Sequence, residues 1–74
     1  MYEDTEEEVA QLKQQLENLK QQDQILSDIE NLLYKMKKIA EYAAQHQLSA
    51  EESDSLNHEM NKHQTMVSAL ELLI

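Results

Sequence analysis

The chain has 74 residues and contains no Gly, Pro, Cys, Trp or Phe. Without Cys it forms neither a disulfide nor a thiolate metal site, and without Gly or Pro it lacks the residues that tight turns favour. The absence of Gly and Pro argues against hairpin meanders, β-sandwiches and glycine-rich phosphate loops. Fifteen acidic residues against six Lys give a net charge of −9.

The first predicted elements are a short acidic tail over residues 1–5 and a long helix over about 6–46. Thr5 and Glu8 match a capping box, with Thr5 as the N-cap. Acidic residues follow in the first helical turn, where the helix dipole favours negative charge. The apolar residues recur at steps of three and four, which is the helical period. They are Val9, Leu12, Leu16, Leu19, Leu26, Ile29, Leu33, Met36, Ala40 and Ala43.

A polar run over residues 21–24 divides this helix into two patterns. Before the run, the apolar stripe is narrow and typical of a coiled coil: Val9, Leu12, Leu16 and Leu19. After it, the phase slips by about one residue and the apolar surface broadens. One stripe then comprises Ile25, Ile29, Leu32, Met36 and Ile39, and a second comprises Leu26, Leu33 and Ala40. A wide apolar face predicts two or more helical neighbours.

The one clear break lies over residues 45–52, where Ser49 and Glu52 match a second capping box. A second helix is predicted over about 50–74. Its apolar seam is Leu56, Met60, His63, Val67, Leu70 and Ile74. A connection this short folds the two helices into an antiparallel hairpin, so residues 6–74 are predicted to form one all-α domain. A further capping box at Ser27 and Glu30 offers a less favoured break in the first helix.

The unequal helix lengths predict a homodimer. At about 1.5 Å per residue, the second helix covers the first only back to about Asp23. We therefore expect a four-helix bundle from residues 23–74 of two chains, with coiled-coil extensions over residues 6–22. The predicted interface residues are Val9, Leu12, Leu16 and Leu19 in the extension, and Ile25, Ile29, Leu32, Met36, Ile39 and Leu70 in the dimer core. The apolar C-terminus is expected to pack against a partner or to continue into a longer chain.

The sequence predicts no catalytic, cofactor or metal site. His58 and His63 are five residues apart, which places them on different helix faces, whereas helical metal pairs are spaced by three or four. The carboxylates are scattered over a thin hairpin that offers no sheltered pocket. His63 occupies a seam position, where a packed, neutral imidazole that hydrogen-bonds a neighbour is favoured. The alternative is a pH-sensitive interface that weakens toward pH 5, because burial disfavours the charged imidazole.

Charge and hydropathy bear on partners and location. The chain has no Arg and no basic patch, so we expect neither nucleic acid nor an anionic membrane surface as a partner. No apolar run reaches 18 residues, and the first residues do not resemble a signal peptide, which together predict a cytoplasmic protein.

The function favoured by this pattern is a small, non-catalytic protein-interaction module, acting as a homodimeric adaptor, regulator or inhibitor of a protein partner. Contiguous exposed apolar surface is typical of such modules. One alternative is a structural subunit or fragment of a larger helical assembly. Another is an acidic mimic of nucleic acid that blocks the basic groove of a DNA- or RNA-binding protein, which the charge of −9 suggests.

Overall fold

The protein is a hairpin of two packed helices. The computed structural model describes residues 2–74, with side chains from Thr5 onward. Helix α1 spans Tyr2–Gln45 and helix α2 spans Ala50–Glu71, and the described residues contain no strand. Four residues connect the helices, which pack against each other. The all-α helical hairpin predicted from the sequence is therefore confirmed.

The start of α1 differs from the prediction. The helix begins at Tyr2, so residues 2–5 are helical and Thr5 lies inside the helix rather than at an N-cap. The predicted cap at Thr5 was wrong. The residues before Thr5 include Glu3 and Asp4, and acidic residues near a helix N-terminus are stabilised by the helix dipole. The same local chemistry that favours a start at Thr5 therefore also favours a start one turn earlier.

Helix α1 continues without interruption through Ser27 and Glu30, so the alternative break at these residues is absent. Its 44 residues account for the length of the molecule, which measures 71 × 18 × 10 Å. An ideal helix of this length measures about 66 Å. A single helix therefore sets the longest dimension of the protein.

His46 closes the C-terminal end of α1. The helix ends at Gln45, one residue before the predicted end. The backbone N–H of His46 donates to the Tyr42 carbonyl at 3.1 Å, and its Nδ1 lies 2.8 Å from the same oxygen. The imidazole also stacks on the Tyr42 ring, with 3.9 Å between the ring centroids. One residue thus satisfies a carbonyl that the end of a helix otherwise leaves unpaired.

Ser49 caps helix α2 as the sequence predicted. Its Oγ accepts a hydrogen bond from the backbone N–H of Glu52 at 3.1 Å. The hydroxyl donates in turn to Oε1 of Glu52 at 3.2 Å. Glu51 and Glu52 occupy the first turn, where the dipole favours them. At the other end the helix stops at Glu71, three residues before the predicted end, and Leu72 and Leu73 form a turn.

The core is a narrow seam between the two helices. Ile29 and Leu32 from α1 and Val67 from α2 are buried. Ile25, Met36 and Leu70 pack around them and are partly buried. Toward the loop, the seam continues through half-buried residues of both helices, namely Ile39, Leu56, Met60 and His63. Two helices alone bury few side chains completely, since each seam residue keeps an edge in contact with solvent.

The molecule is far from compact. Its radius of gyration is 20.3 Å, whereas a compact chain of this length has a radius of about 11 Å. The accessible surface is 6413 Å², against about 4,700 Å² for a typical folded monomer of this mass. Each chain therefore exposes roughly 1,700 Å² more surface than its size requires.

Replacing the α2 cap, Ser49→Ala, removes the acceptor for the Glu52 N–H and is expected to lower the free energy of unfolding by about 1 kcal/mol. Urea unfolding followed by circular dichroism measures the change. Ser55→Ala, at an exposed position inside the same helix, is the control and should change stability by less than about 0.5 kcal/mol. Equal effects of the two substitutions would contradict the capping role.

Replacing a seam residue, Leu32→Ala, is expected to cost about 2 kcal/mol or more, because Leu32 is only 7% exposed and its removal leaves a cavity. Met66→Ala provides a matched truncation at an exposed apolar position on α2, with an expected cost well below that. The same unfolding measurement distinguishes the two variants. A greater loss from Met66→Ala would show that the seam is placed wrongly.

Candidate functional site

Helix α2 does not bury any residue of α1 between Thr5 and Gln24. All residues from Thr5 to Gln24 are exposed, and the first half-buried residue of the helix is Ile25. We call residues 2–24 the overhang. The predicted extension residues Val9, Leu12, Leu16 and Leu19 all lie here, with exposed fractions of 45–63%. The prediction that this stripe has no partner within its own chain is confirmed.

Four exposed leucines follow one another at intervals of seven residues along α1. These are Leu12, Leu19, Leu26 and Leu33, with exposed fractions of 63%, 57%, 46% and 49%. We call this set the leucine row. A spacing of seven keeps side chains close to one line along a helix. The row therefore runs from the overhang into the hairpin without changing face.

The remaining predicted interface residues lie within the hairpin. Ile29 and Leu32 are buried against α2, and Ile25, Met36 and Leu70 pack around them, while Ile39 is half-buried. The structure thus gives these six side chains a partner in their own chain. Their contact with a second copy stays a prediction.

Leu26 and Leu33 were missing from the predicted interface, although they formed the second stripe of the broad face. The structure separates the two stripes, because α2 covers Ile29 and Leu32 and leaves Leu26 and Leu33 exposed. The signal for the row is its interval of seven, which joins these residues to Leu12 and Leu19 across the phase slip. Steps of three and four alone hide this continuity.

A groove lies on the opposite flank of the hairpin. Its volume is about 470 Å³, and Asp28, Asn31, Leu32 and Lys35 from α1 line it together with Met66, Ala69 and Leu70 from α2. Lys35 follows Leu33 by two residues, which places it about 160° around the helix from the leucine row. The groove and the row are therefore two separate surfaces.

His63 sits half-buried in the seam of α2. Its Nδ1 is buried and has no hydrogen-bond partner among the residues that the structure describes. The packed position agrees with the sequence analysis, but the expected hydrogen bond is not formed. The predicted weakening of association toward pH 5 stays a prediction.

Charged side chains near the end of α1 form an exposed cluster. Glu41 lies 3.9 Å from the Nζ of Lys37 and 3.5 Å from that of Lys38. Lys38 also lies over the Tyr34 ring, 5.2 Å from its centroid. Glu41 first, and then Tyr34, raise the pKa of Lys38 above its ordinary value of 10.5. Exposed pairs of this kind contribute little to stability, so this cluster mainly affects local charge.

Neither helix has a window long and apolar enough to cross a bilayer within the residues that the structure describes. In the same residues, no group of three or more His, Asp or Glu side chains converges as a metal site would require. The candidate functional site is therefore the exposed apolar face of α1 that carries the leucine row.

Comparison with protein-family models, with curated proteins and with solved structures finds no match for this chain.

Replacing the seam imidazole, His63→Leu, is expected to raise the free energy of unfolding by about 1 kcal/mol, because it removes a buried nitrogen that lacks a partner. Urea unfolding at pH 7 measures the difference. His58→Leu on the exposed side of α2 is the control, with an expected change within about 0.5 kcal/mol. A loss of stability in His63→Leu would show that the imidazole makes a favourable interaction.

Proposed function

We propose that this protein is a small, non-catalytic protein-interaction module that acts as a helical homodimer, in the role of an adaptor, regulator or inhibitor. The observation that carries the proposal is the leucine row, which exposes four large apolar side chains on one face of α1. Large apolar side chains that line up exposed on one face of a helix are characteristic of sites of helix association.

The surface area supports the same proposal. Each chain exposes roughly 1,700 Å² more than a compact protein of its mass, whereas a standard interface buries about 800 Å² per partner. The overhang also has about twenty exposed residues, and an isolated helix of that length is marginal in water. A second helix along the leucine row would supply the missing contacts.

A structural subunit of a larger helical assembly is the second candidate. It is favoured by Leu72, Leu73 and Ile74, which lie beyond the end of α2 with exposed fractions of 87%, 66% and 51%. These residues form a second apolar surface that the hairpin does not cover. Under this candidate, another chain covers residues 72–74, and the isolated protein is a monomer.

Sedimentation equilibrium of the full chain tests the homodimer. At tens of micromolar we expect a dimer, and Leu19→Glu is expected to shift it toward monomer by at least tenfold in the dissociation constant, because a charge would enter an apolar contact. Gln21→Glu adds the same charge at an exposed position two residues away and should leave the equilibrium within about twofold.

A monomeric full chain at this concentration would reject the homodimer and favour the assembly subunit. A dimer that both substitutions weaken equally would indicate general charge repulsion rather than a contact at Leu19.

A further inference from the structure

The leucine row is symmetric about the middle of α1. Its midpoint lies between Gln22 and Asp23, halfway between Leu19 and Leu26. When a second copy of α1 runs antiparallel about this point, Leu12 lies level with the partner's Leu33, and Leu19 lies level with the partner's Leu26. Two-fold symmetry then brings all four row residues of each chain into register, as a self-complementary interface requires.

The lengths of the two halves of α1 agree with this arrangement. In the antiparallel pair, residues 2–22 of one copy run beside residues 23–43 of the other. Those partner residues are the part of α1 that packs on α2, since the seam begins at Ile25 and includes Met36 and Ile39. Each overhang, about 30 Å long, thus matches the hairpin beside which it lies.

The charges next to the row are complementary in the same register. At about 100° per residue, the positions one and four residues after a row residue lie about 100° and 40° around the helix from it, and therefore on the same flank. Lys13 and Lys20 stand one position after Leu12 and Leu19, and Glu6 continues this flank seven residues before Lys13. Asp23, Glu30 and Lys37 stand four positions after Leu19, Leu26 and Leu33. The antiparallel pair brings Glu6 to the partner's Lys37, Lys13 to the partner's Glu30, and Lys20 to the partner's Asp23. Every one of these pairs joins opposite charges, and symmetry repeats each pair.

The structure leaves most of these charges unused within the chain. Lys13, Lys20, Asp23 and Glu30 are exposed, and none has an ion pair among the described residues. Lys37 is 3.9 Å from Glu41 on the surface, where such a contact is weak and easily exchanged. These side chains are therefore available to a second copy.

A parallel, in-register pair of α1 helices would bring like charges together. In such a pair each residue lies opposite its own copy, and steps of seven from Val9 and Leu16 lead to Asp23, Glu30 and Lys37 on the same helix face. Each of these residues would then face its own counterpart with the same charge. Like charges at an interface disfavour that partner orientation.

We propose that two copies associate antiparallel along α1, about a two-fold axis near Gln22 and Asp23, so that each overhang becomes a third helix beside the partner's hairpin. This inference rests on the homodimer in the proposed function. It specifies that a second copy of α1 covers the leucine row and that the two copies run antiparallel. The overhang covers the leucine row of the partner, and the dimer consists of two three-helix segments joined end to end. This arrangement replaces the four-helix bundle of residues 23–74 that the sequence analysis expected.

A spin-label distance separates the possible arrangements. The chain has no Cys, so Lys38→Cys in the full-length protein provides a single labelling site on the exposed side of α1. The antiparallel dimer about residues 22 and 23 places the two labels about 45–55 Å apart. A parallel dimer places them below about 30 Å, and an antiparallel contact between overhangs alone, centred near Gln14, places them beyond about 70 Å.

Either of the last two distances would overturn this arrangement while leaving the homodimer in place. Sedimentation equilibrium of the labelled protein gives the separate test of dimerisation. A monomer there, with the unlabelled chain also monomeric, would reject both the arrangement and the homodimer.

A charge exchange gives a second test that does not depend on the label. Lys13→Glu and Glu30→Lys are each expected to weaken association by about tenfold at low salt, because each creates two like-charged pairs in the dimer. The double variant is expected to restore association to within about twofold of the original chain. Residues 13 and 30 are about 25 Å apart in one helix, so the restoration requires the antiparallel partner.

Lys13→Glu with Glu59→Lys is the matched control, since Glu59 is exposed on α2, takes no part in the predicted pairs, and its replacement restores the same net charge as Glu30→Lys. This control should remain as weak as Lys13→Glu alone. Failure of Glu30→Lys to restore association in the Lys13→Glu background would overturn the register.

Discussion

The difference in length between the two helices is the constraint on which the rest of the structure depends. Helix α1 has 44 residues and helix α2 has 22, and they are joined by four residues. Helix α2 therefore covers only half of its neighbour, and the first covered residue is Ile25. The thin core, the large radius of gyration and the exposed leucines all follow from this inequality.

The small core links folding to association. Among the residues of one chain whose side chains are described, only Ile29, Leu32 and Val67 are buried, so the hairpin has little apolar stabilisation to oppose the entropy of the unfolded chain. A partner that binds only the folded state adds stability that grows with its concentration. Under the proposed arrangement, each overhang stabilises the partner's hairpin, so that folding and dimerisation become one equilibrium.

Local signals in the sequence predicted the hairpin well, but they did not predict which apolar stripe of α1 stays exposed. Ser49 and Glu52 identified the start of α2 because a cap depends on residues within one turn. The same signature failed at Thr5, since nearby acidic residues also favour an earlier start. Periodicity found both stripes of the broad face, but it did not tell which one α2 covers. Which stripe is covered depends on the rotation of each helix about its own axis. Side-chain packing between the helices sets this rotation, and the apolar pattern of one helix does not reveal it.

The two flanks of the hairpin differ in chemistry, and this difference determines what a dimer leaves free. The flank with Leu26 and Leu33 is apolar at its centre and charged at its edge, and it is symmetric along α1. The flank with the groove is lined by the apolar side chains of Leu32 and Leu70 together with the charged side chains of Asp28 and Lys35. The groove is not repeated in the overhang, because α2 supplies three of its seven lining residues. Since the groove points about 160° away from the row, an antiparallel dimer keeps both of its grooves open at opposite ends. Self-association and recognition of a different protein would therefore use separate faces of the same short hairpin.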